Sequence, residues 1–597
     1  MVSSAPLGTM NGKARALAAY AAGAAASCVA AFVLLELWRA DLRVPFDYGG
    51  DGLLFSIITK TTVDRGWFWT NPSLGAPAGF SFYDYPVSAN DTVHLLVIKG
   101  MSLFCADWAV LFNTYFLLGF PLTTLSAMAV FRQFGIGFGP AAAGAILYSF
   151  LPSRLLKGEG HIFLDVFYQV PLAILVVLWV CGPTPPLLLD RHGGKWPKLE
   201  VRRARSLCSL LICALVASTS LYYAFFTVCL LVAGGAWAAW QYGTIRNALS
   251  GLLLAGTITA ALAANALPSI VYQAQHGPNH AVAQRRPQDA EIFGMKIAQL
   301  LLPTDGHRIT PLRDLKARYN MGAPLGGESG ATSLGFVGGV GFLLLLGSVL
   351  SGRRGERPPD DCLRPLGVLN LMAVLLGTIG GFGSLIAWLV TPQIRTYSRI
   401  NVLIGFFAFF AIAILLERLR RRSPRVALAV VPLVLLVGLL DQVTPYAVKA
   451  YEANKLAYRS DADLVQRVEA AVPSGAIVLE LPFMAFPDVP PLRRLDTYAS
   501  ARPYLHSRTL RWSYPVMQGR QDVNWVVGVS RLEPPAMLEA LTGTDVGGIL
   551  VQREGYLDNG AGIENAFRAL LGTEPLVSED GRLAFFSIRR SPAAPAR

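Results

Sequence analysis

The sequence predicts a polytopic α-helical membrane protein with about eleven transmembrane helices and a small extracytoplasmic α/β domain at its C-terminal end. Three observations carry that prediction. Hydrophobic residues make up 53% of the 597 and charged residues only 15%, where an ordinary soluble domain carries roughly 25% charged residues. Apolar blocks of bilayer-crossing length recur as far as residue 445. Beyond that point, short strand-like runs alternate with helix-like ones. A mean hydropathy of +0.44 excludes a purely cytosolic globular protein. It also excludes disorder, because low hydrophobicity is what keeps disordered chains from collapsing.

A spanning helix needs about 20 mainly apolar residues. Blocks of that kind occupy 15–38, 106–131, 138–153, 163–182, 206–219, 221–240, 247–271, 334–352, 365–391, 400–417 and 425–445. The first follows a short basic stretch and is too long for a signal-peptide core, so it reads as a retained span. Around SLYYAFF, the 206–240 region is either two helices with a turn or one tilted, broken helix.

The formal charge is +13, and its placement decides its meaning. Lys13/Arg15, Arg132, RHGGKWPKLEVRRAR (191–205), Arg246, GRRGER (352–357) and RLRRRSPR (418–425) alternate in step with the spans. Short basic loops of this kind stay in the cytoplasm, so nucleic acid is not an expected partner. The N-terminus is then cytoplasmic. Loops 39–105, 154–162, 272–333 and 392–399, and everything after 445, face the other side of a bacterial inner membrane.

The chain divides into a membrane domain, 1–445, and an extracytoplasmic α/β domain, 446–597. The second shows strand-like AIVLELP, GGILVQ and LAFFSI among helix-like SDADLVQRVEAAV, PPAMLEALTG and IENAFRALLG. Loop 39–105 is far longer than an ordinary connection, and long ordered loops tend to be functional. Its TTVDRGWFWTNPSLG and TVHLLVIKGMSLF stretches suit a membrane interface. Seven cysteines lack metal-ligand spacing and none lies beyond Cys362, so no disulfide holds the C-terminal domain.

Four groups of residues on the extracytoplasmic side can carry chemistry. In VPFDYGGDGLLF, Asp47 and Asp51 flank two glycines directly after the first span. A carboxylate held there can take the proton of an acceptor hydroxyl; the alternative is Asp51 as the N-cap of the next helix. In GFSFYDYPVSANDTVH, Asp84 sits between Tyr83 and Tyr85, an arrangement suited to a sugar or to anchoring aromatics at the interface. Arg154, Lys157, Glu159 and His161 crowd LPSRLLKGEGHIFLD, where ionisable groups beside a membrane suggest a phosphate-binding role. Arg395 and Arg399 in TPQIRTYSRIN defy the positive-inside bias, and in a helix their spacing puts both guanidinia on one face. Paired arginines recognise phosphate through planar forks; snorkelling to headgroups is the alternative. Arg285, in loop 272–333, either joins that anion site or neutralises Asp289, Asp305 or Asp314. His276 and His280, four residues apart, could suggest a metal, but HGPNH contains a helix-disfavouring proline that argues against it. No Walker-type phosphate loop occurs, so an activated substrate on this face must arrive attached to a membrane lipid.

A first span, a long outer loop with an early acidic residue, many further spans and an outer α/β tail together resemble the GT-C superfamily of polytopic glycosyltransferases. The stretches VPFDYGGDGLLF, GWFWTNPSLGAPAGFSFYDYP and LLKGEGHIFLD also resemble bacterial YfhO-like membrane proteins. The resemblance rests on motifs over about the first 180 residues and on layout thereafter. It implies transfer of a sugar from a polyprenyl-phosphate-linked donor to a glycan, lipid or cell-envelope acceptor. Asp51 would be the base, with Asp47 second, and Arg395 and Arg399 would hold the lipid phosphate. Metal-dependent members show a tighter acidic motif than Asp-Tyr-Gly-Gly-Asp, so no metal ligand is assigned, and a divalent cation (Mg or Mn) is the one cofactor left open. The competing reading is a transporter or flippase of a lipid-linked saccharide, which would use the same arginines without a base. No inverted repeat of the kind such transporters carry is visible. A scaffold protein stands third, since eleven spans exceed what anchoring needs.

Overall fold

The computed structural model describes residues 10–189, 197–282, 284–325, 327–351, 362–520 and 523–588. Of the basic loops that set the expected orientation, GRRGER and residues 191–196 lie outside this set, as does the Pro/Ala/Arg tail.

The described residues of the eleven apolar blocks are mainly helical, with 365–391 broken into Leu363–Gly377 and Phe382–Leu389. Among the described residues six helices are long and apolar enough to cross a membrane alone: Gly12–Leu34, Trp108–Gln133, Leu221–Tyr242, Arg246–His276, Tyr397–Arg422 and Pro424–Gln442. Phe138–Asp165 and Gln169–Val180 pass as a pair bent by 64°, while Ala204–Ala217, Gly335–Leu350 and Leu363–Gly377 are shorter. The 206–240 region is two helices. Ser220 separates them, and its hydroxyl accepts from the Tyr223 N–H at 3.4 Å, capping Leu221–Tyr242.

The centre of the membrane body is the Asn401–Arg422 helix, whose Phe406, Phe407, Phe409 and Phe410 are completely buried. Small residues let its neighbours close in. A Cβ on Gly341 would lie 2.3 Å from the Ala408 carbonyl oxygen, so that crossing tolerates glycine alone. Pro424–Gln442, by contrast, exposes Leu428, Leu433 and Leu436, the surface expected of a helix facing lipid.

The long first loop is ordered. It holds the Gly50–Arg65 helix, a short hairpin pairing Thr70–Asn71 with Phe80–Ser81, and the Thr92–Met101 helix. The second helix buries His94, Leu95 and Ile98 and exposes Leu96 and Val97, an interfacial pattern. The first does not lie along an interface. It is buried continuously from Gly52 to Thr62, because the Trp108–Gln133 helix packs on one side and residues 499–506 on another.

The C-terminal residues form a five-stranded sheet in the order Arg511–Trp512, Ile477–Leu481, Val546–Gln552, Leu583–Ser587, Leu576–Val577. The first three are parallel and the last two antiparallel. Both Ile477–Leu481 and Val546–Gln552 are buried at every position, as a near-continuous apolar run demands of parallel strands covered on two faces. The expected helix-like runs fall in Tyr451–Ala471, Pro534–Leu541 and Ala561–Leu571.

This sheet is fastened to the first loop. Trp512 donates its backbone N–H to Ser73 and accepts from Ala76, both at 2.9 Å. Phe486 packs edge-on against Phe80, Phe82 and Tyr85 with centroids 5.2, 6.0 and 5.8 Å away.

Candidate functional site

Two glycines create the turn that presents Asp51. Gly50 takes φ +48°, a left-handed conformation open to glycine at little cost. A Cβ on Gly52 would lie 2.8 Å from the Asp47 carbonyl oxygen. The N-cap position belongs to Gly49, and Asp51 sits in the first helical turn. Asp51 is therefore not the cap that one sequence reading allowed. Among the described residues its nearest ionic neighbour is His161, Nε2 to Oδ2 3.9 Å, and half of its side chain stays open.

Asp47 is spent on structure. Its carboxylate accepts from the Glu159 N–H at 3.0 Å and pairs with Lys449 at 3.1 Å, while its own N–H donates to Glu159 at 3.0 Å. Of the two aspartates flanking the glycines, only Asp51 keeps its carboxylate available.

Asp51 lines a cavity of about 280 Å³ together with His161, Tyr85, Arg285, Arg395 and Arg399. These residues come from five separated stretches of sequence. The two arginines reach the cavity without sharing a helical face. Arg395 precedes the Tyr397–Ile400 turn of 3₁₀ helix that contains Arg399, so the expected i, i+4 helix geometry does not occur there. Arg399 donates to Glu328 at 3.0 Å and lies over the Tyr222 ring at 4.4 Å. Arg285 pairs with Asp488 at 2.9 Å, and the Tyr85 hydroxyl donates to the same carboxylate at 3.1 Å. Arg395 lies over Phe293 at 5.0 Å and has no carboxylate partner among the described residues. Asp51 and His161 also border a second, more open space of about 510 Å³.

The electrostatics follow from these neighbours. Burial raises the Asp51 carboxyl above its ordinary value; Asp488 and Glu328 add to that, and Arg399 and Arg395 oppose it. Burial alone would raise Glu328 as well, but Arg399 and Lys157 outweigh it and hold that carboxyl well below its usual range. Lys157 contacts Glu328 at 2.7 Å.

The remaining predicted residues lie elsewhere. Arg154 is fully buried. Its guanidinium donates to the Ser149 and Phe116 carbonyls at 3.3 Å and stacks 3.8 Å over Phe120, so it cannot join Lys157 in holding a phosphate. Glu159 is buried and braces Asp47. Tyr83 is stacked between Trp69 and Tyr272, with centroids 5.2 and 4.9 Å away. Asp84 is enclosed with Arg520, which donates to it through Nε at 2.6 Å and also reaches the His276 and Gly277 carbonyls. Neither Tyr83 nor Asp84 borders the cavity, because the Tyr83–Asp84 pair turns toward the end of Arg246–His276. Replacing Arg520 with Met strands the Asp84 carboxylate in a buried site and should cost about 3–5 kcal/mol of stability, where Asp84→Asn costs less. Thermal unfolding of the two variants in detergent, followed by circular dichroism, checks the ordering.

Sequence reasoning missed Asp488, Glu328, Tyr222 and Tyr498, all at the cavity or its arginines. None stands in a local motif; Asp488 is 203 residues from the arginine that it holds. Among the described residues no group of three His, Cys, Asp or Glu side chains is placed to hold a metal ion.

No protein-family model and no curated protein matches the sequence. Solved structures do match, over nearly the whole chain. ArnT from Cupriavidus metallidurans bound to undecaprenyl phosphate aligns with a TM-score of 0.51 at 12% identity, covering 96% of this chain and 99% of that one. Its apo state gives 0.49 at 12% identity, covering 96% and 100%. The archaeal oligosaccharyltransferase AglB from Archaeoglobus fulgidus, in complex with an inhibitory peptide and a dolichol-phosphate, gives 0.44 at 11% identity, covering 96% and 74%. The fold is thus the one seen in ArnT; in this chain it consists of a polytopic helical membrane body and a small α/β sheet domain at the C-terminal end.

Proposed function

We propose that this chain is a membrane glycosyltransferase. It moves a sugar from a polyprenyl-phosphate-linked donor to a lipid-linked glycan, polysaccharide or other cell-envelope acceptor on the extracytoplasmic face of a bacterial inner membrane. Residues 1–445 form the membrane domain, with a cytoplasmic N-terminus, and 446–597 the extracytoplasmic domain. The observation that carries the reading is one cavity holding an available carboxylate, Asp51, opposite Arg285, Arg395 and Arg399. The ArnT structure of like fold holds undecaprenyl phosphate, which supports a lipid phosphate as the group these arginines receive.

In this reaction the bond between the anomeric carbon and the phosphate oxygen breaks as the acceptor oxygen bonds to that carbon. Asp51 takes the hydroxyl proton, and the phosphate departs on its lipid with its charge held by guanidinium groups. A flippase would need the cationic cavity alone. Asp51, with no Lys or Arg partner among the described residues and bordering two spaces, has a use in the transferase and none in the flippase.

The test is reconstitution of the full chain in lipid vesicles with radiolabelled undecaprenyl-phosphate sugars and a cell-envelope acceptor extract. Label passing to acceptor supports the reading; donor that changes leaflet without transfer replaces it with the flippase. The rate should also depend on pH in a defined direction. The base works ionised, and because folding raises its carboxyl, the rate should climb with pH along a limb centred above the ordinary aspartate value of about 3.9. A pH–rate profile with no acidic limb above that value would count against Asp51.

A further inference from the structure

The transferase reading, on which this inference rests, needs a place for the acceptor, and the second space bordered by Asp51 has the chemistry of one. Its walls include Asp47, Asp51, Lys157, Lys449 and Asp496. Both lysines are already engaged. Lys449 lies 3.1 Å from Asp47, and Lys157 lies 2.7 Å from Glu328, which also holds Arg399. Two carboxylates without a cationic partner among the described residues remain, Asp51 and Asp496. Asp496 is fixed in place: one oxygen accepts from the Gly50 N–H at 3.0 Å and the other from the Thr497 N–H at 2.8 Å. It stands beside the glycine turn that presents Asp51.

We propose that this space of about 510 Å³ receives an uncharged, polyhydroxyl glycan acceptor, with Asp496 accepting hydrogen bonds from hydroxyls next to the one that attacks. A carboxylate has spare lone pairs for hydroxyl donors. A phosphate or carboxylate on the acceptor would meet two like charges there with no free Lys or Arg among the described lining residues, and like charges at short range are costly. The neighbouring cavity has the opposite character, since Arg395 is left without a carboxylate. The two spaces thereby sort their ligands by charge, repelling the wrong one as well as attracting the right one. Asp51 stands at their boundary.

The experiment offers the reconstituted protein a panel of radiolabelled undecaprenyl-phosphate hexoses and pentoses. The acceptor is a glycan extract split on an anion exchanger into neutral and phosphate-bearing pools. Label should enter the neutral pool preferentially, by about tenfold or more. Equal or greater labelling of the phosphate-bearing pool overturns the acceptor class and leaves the transferase reading standing, whereas no label in either pool sinks both. Asp496→Lys should raise KM for the neutral pool by about tenfold and improve use of the phosphate-bearing pool, with undecaprenyl phosphate binding unchanged by native mass spectrometry. Asp496→Asn retains an oxygen for the Gly50 N–H, and a smaller rise in KM at unchanged thermal stability is expected; an unchanged KM in both variants removes Asp496 from acceptor recognition.

Discussion

Asp51→Asn should abolish sugar transfer, lowering the rate by at least about a hundredfold, the lower end of what a positioned base contributes, while the protein still folds and inserts. The structure supports both halves of that expectation. The Asp51 carboxylate caps no helix and forms no close ion pair among the described residues, so the amide takes its place without orphaning a partner. Asp47→Asn should show the reverse pattern. That change weakens the contact with Lys449 and the tie to Glu159, so stability falls and transfer falls only as a consequence. Transfer assays on both variants, paired with thermal unfolding, separate the roles. Full activity in the Asp51 variant removes the base assignment.

Loss of the arginines should strike donor binding. Arg395→Gln deletes a guanidinium that has no carboxylate to leave behind, so its effect should appear almost wholly as weaker binding of undecaprenyl phosphate. A hydrogen bond to a charged group contributes about 1.5–3 kcal/mol, which corresponds to roughly tenfold to a hundredfold in Kd. Arg399→Gln should do more harm. It turns Glu328, now held by Arg399 and Lys157, into a partly uncompensated carboxylate next to where the phosphate would bind. Breaking a buried pair from one side costs about 3–5 kcal/mol, so this variant should lose stability and affinity together. Adding Glu328→Gln should restore much of the stability and little of the binding, a double-mutant cycle that tells packing from ligand recognition. Wild-type affinity for undecaprenyl phosphate in Arg395→Gln would remove the cationic clamp.

How much of this could be read beforehand depended on the range of the forces involved. Membrane helices announce themselves because about 20 consecutive residues must satisfy one solvent, and the buried strands Ile477–Leu481 and Val546–Gln552 are legible for a similar reason. Individual side chains are a different matter. Asp47 and Asp51 look equivalent in Asp-Tyr-Gly-Gly-Asp; what distinguishes them is Lys449 and Glu159, far along the chain. Arg154 stands out because ionisable groups beside a membrane are expensive, and Asp84 because two tyrosines flank it. The structure offsets that expense with carbonyls and aromatic faces for Arg154, and it turns Asp84 to Arg520 rather than to the cavity. Arg395 and Arg399 stand out because they defy the positive-inside bias; the helical spacing also expected of them does not occur, yet a turn brings both to the same cavity. Asp488, Glu328 and Asp496 carried no signal, since each is an isolated acid in a loop and its partner is known only once the chain has folded.

The grip on the glycine turn sets a timetable for the protein's birth. Gly50 is held by a carboxylate 446 residues downstream, the Tyr48 carbonyl by Arg502, 454 residues downstream, and the Phe46 carbonyl by Asn454. A ribosome delivers the segment bearing Asp51 long before the residues that fasten it. Until those later groups have been made and have docked, the turn lacks these fastenings, so a chain cut short before Asn454 should present Asp51 on an unfastened segment.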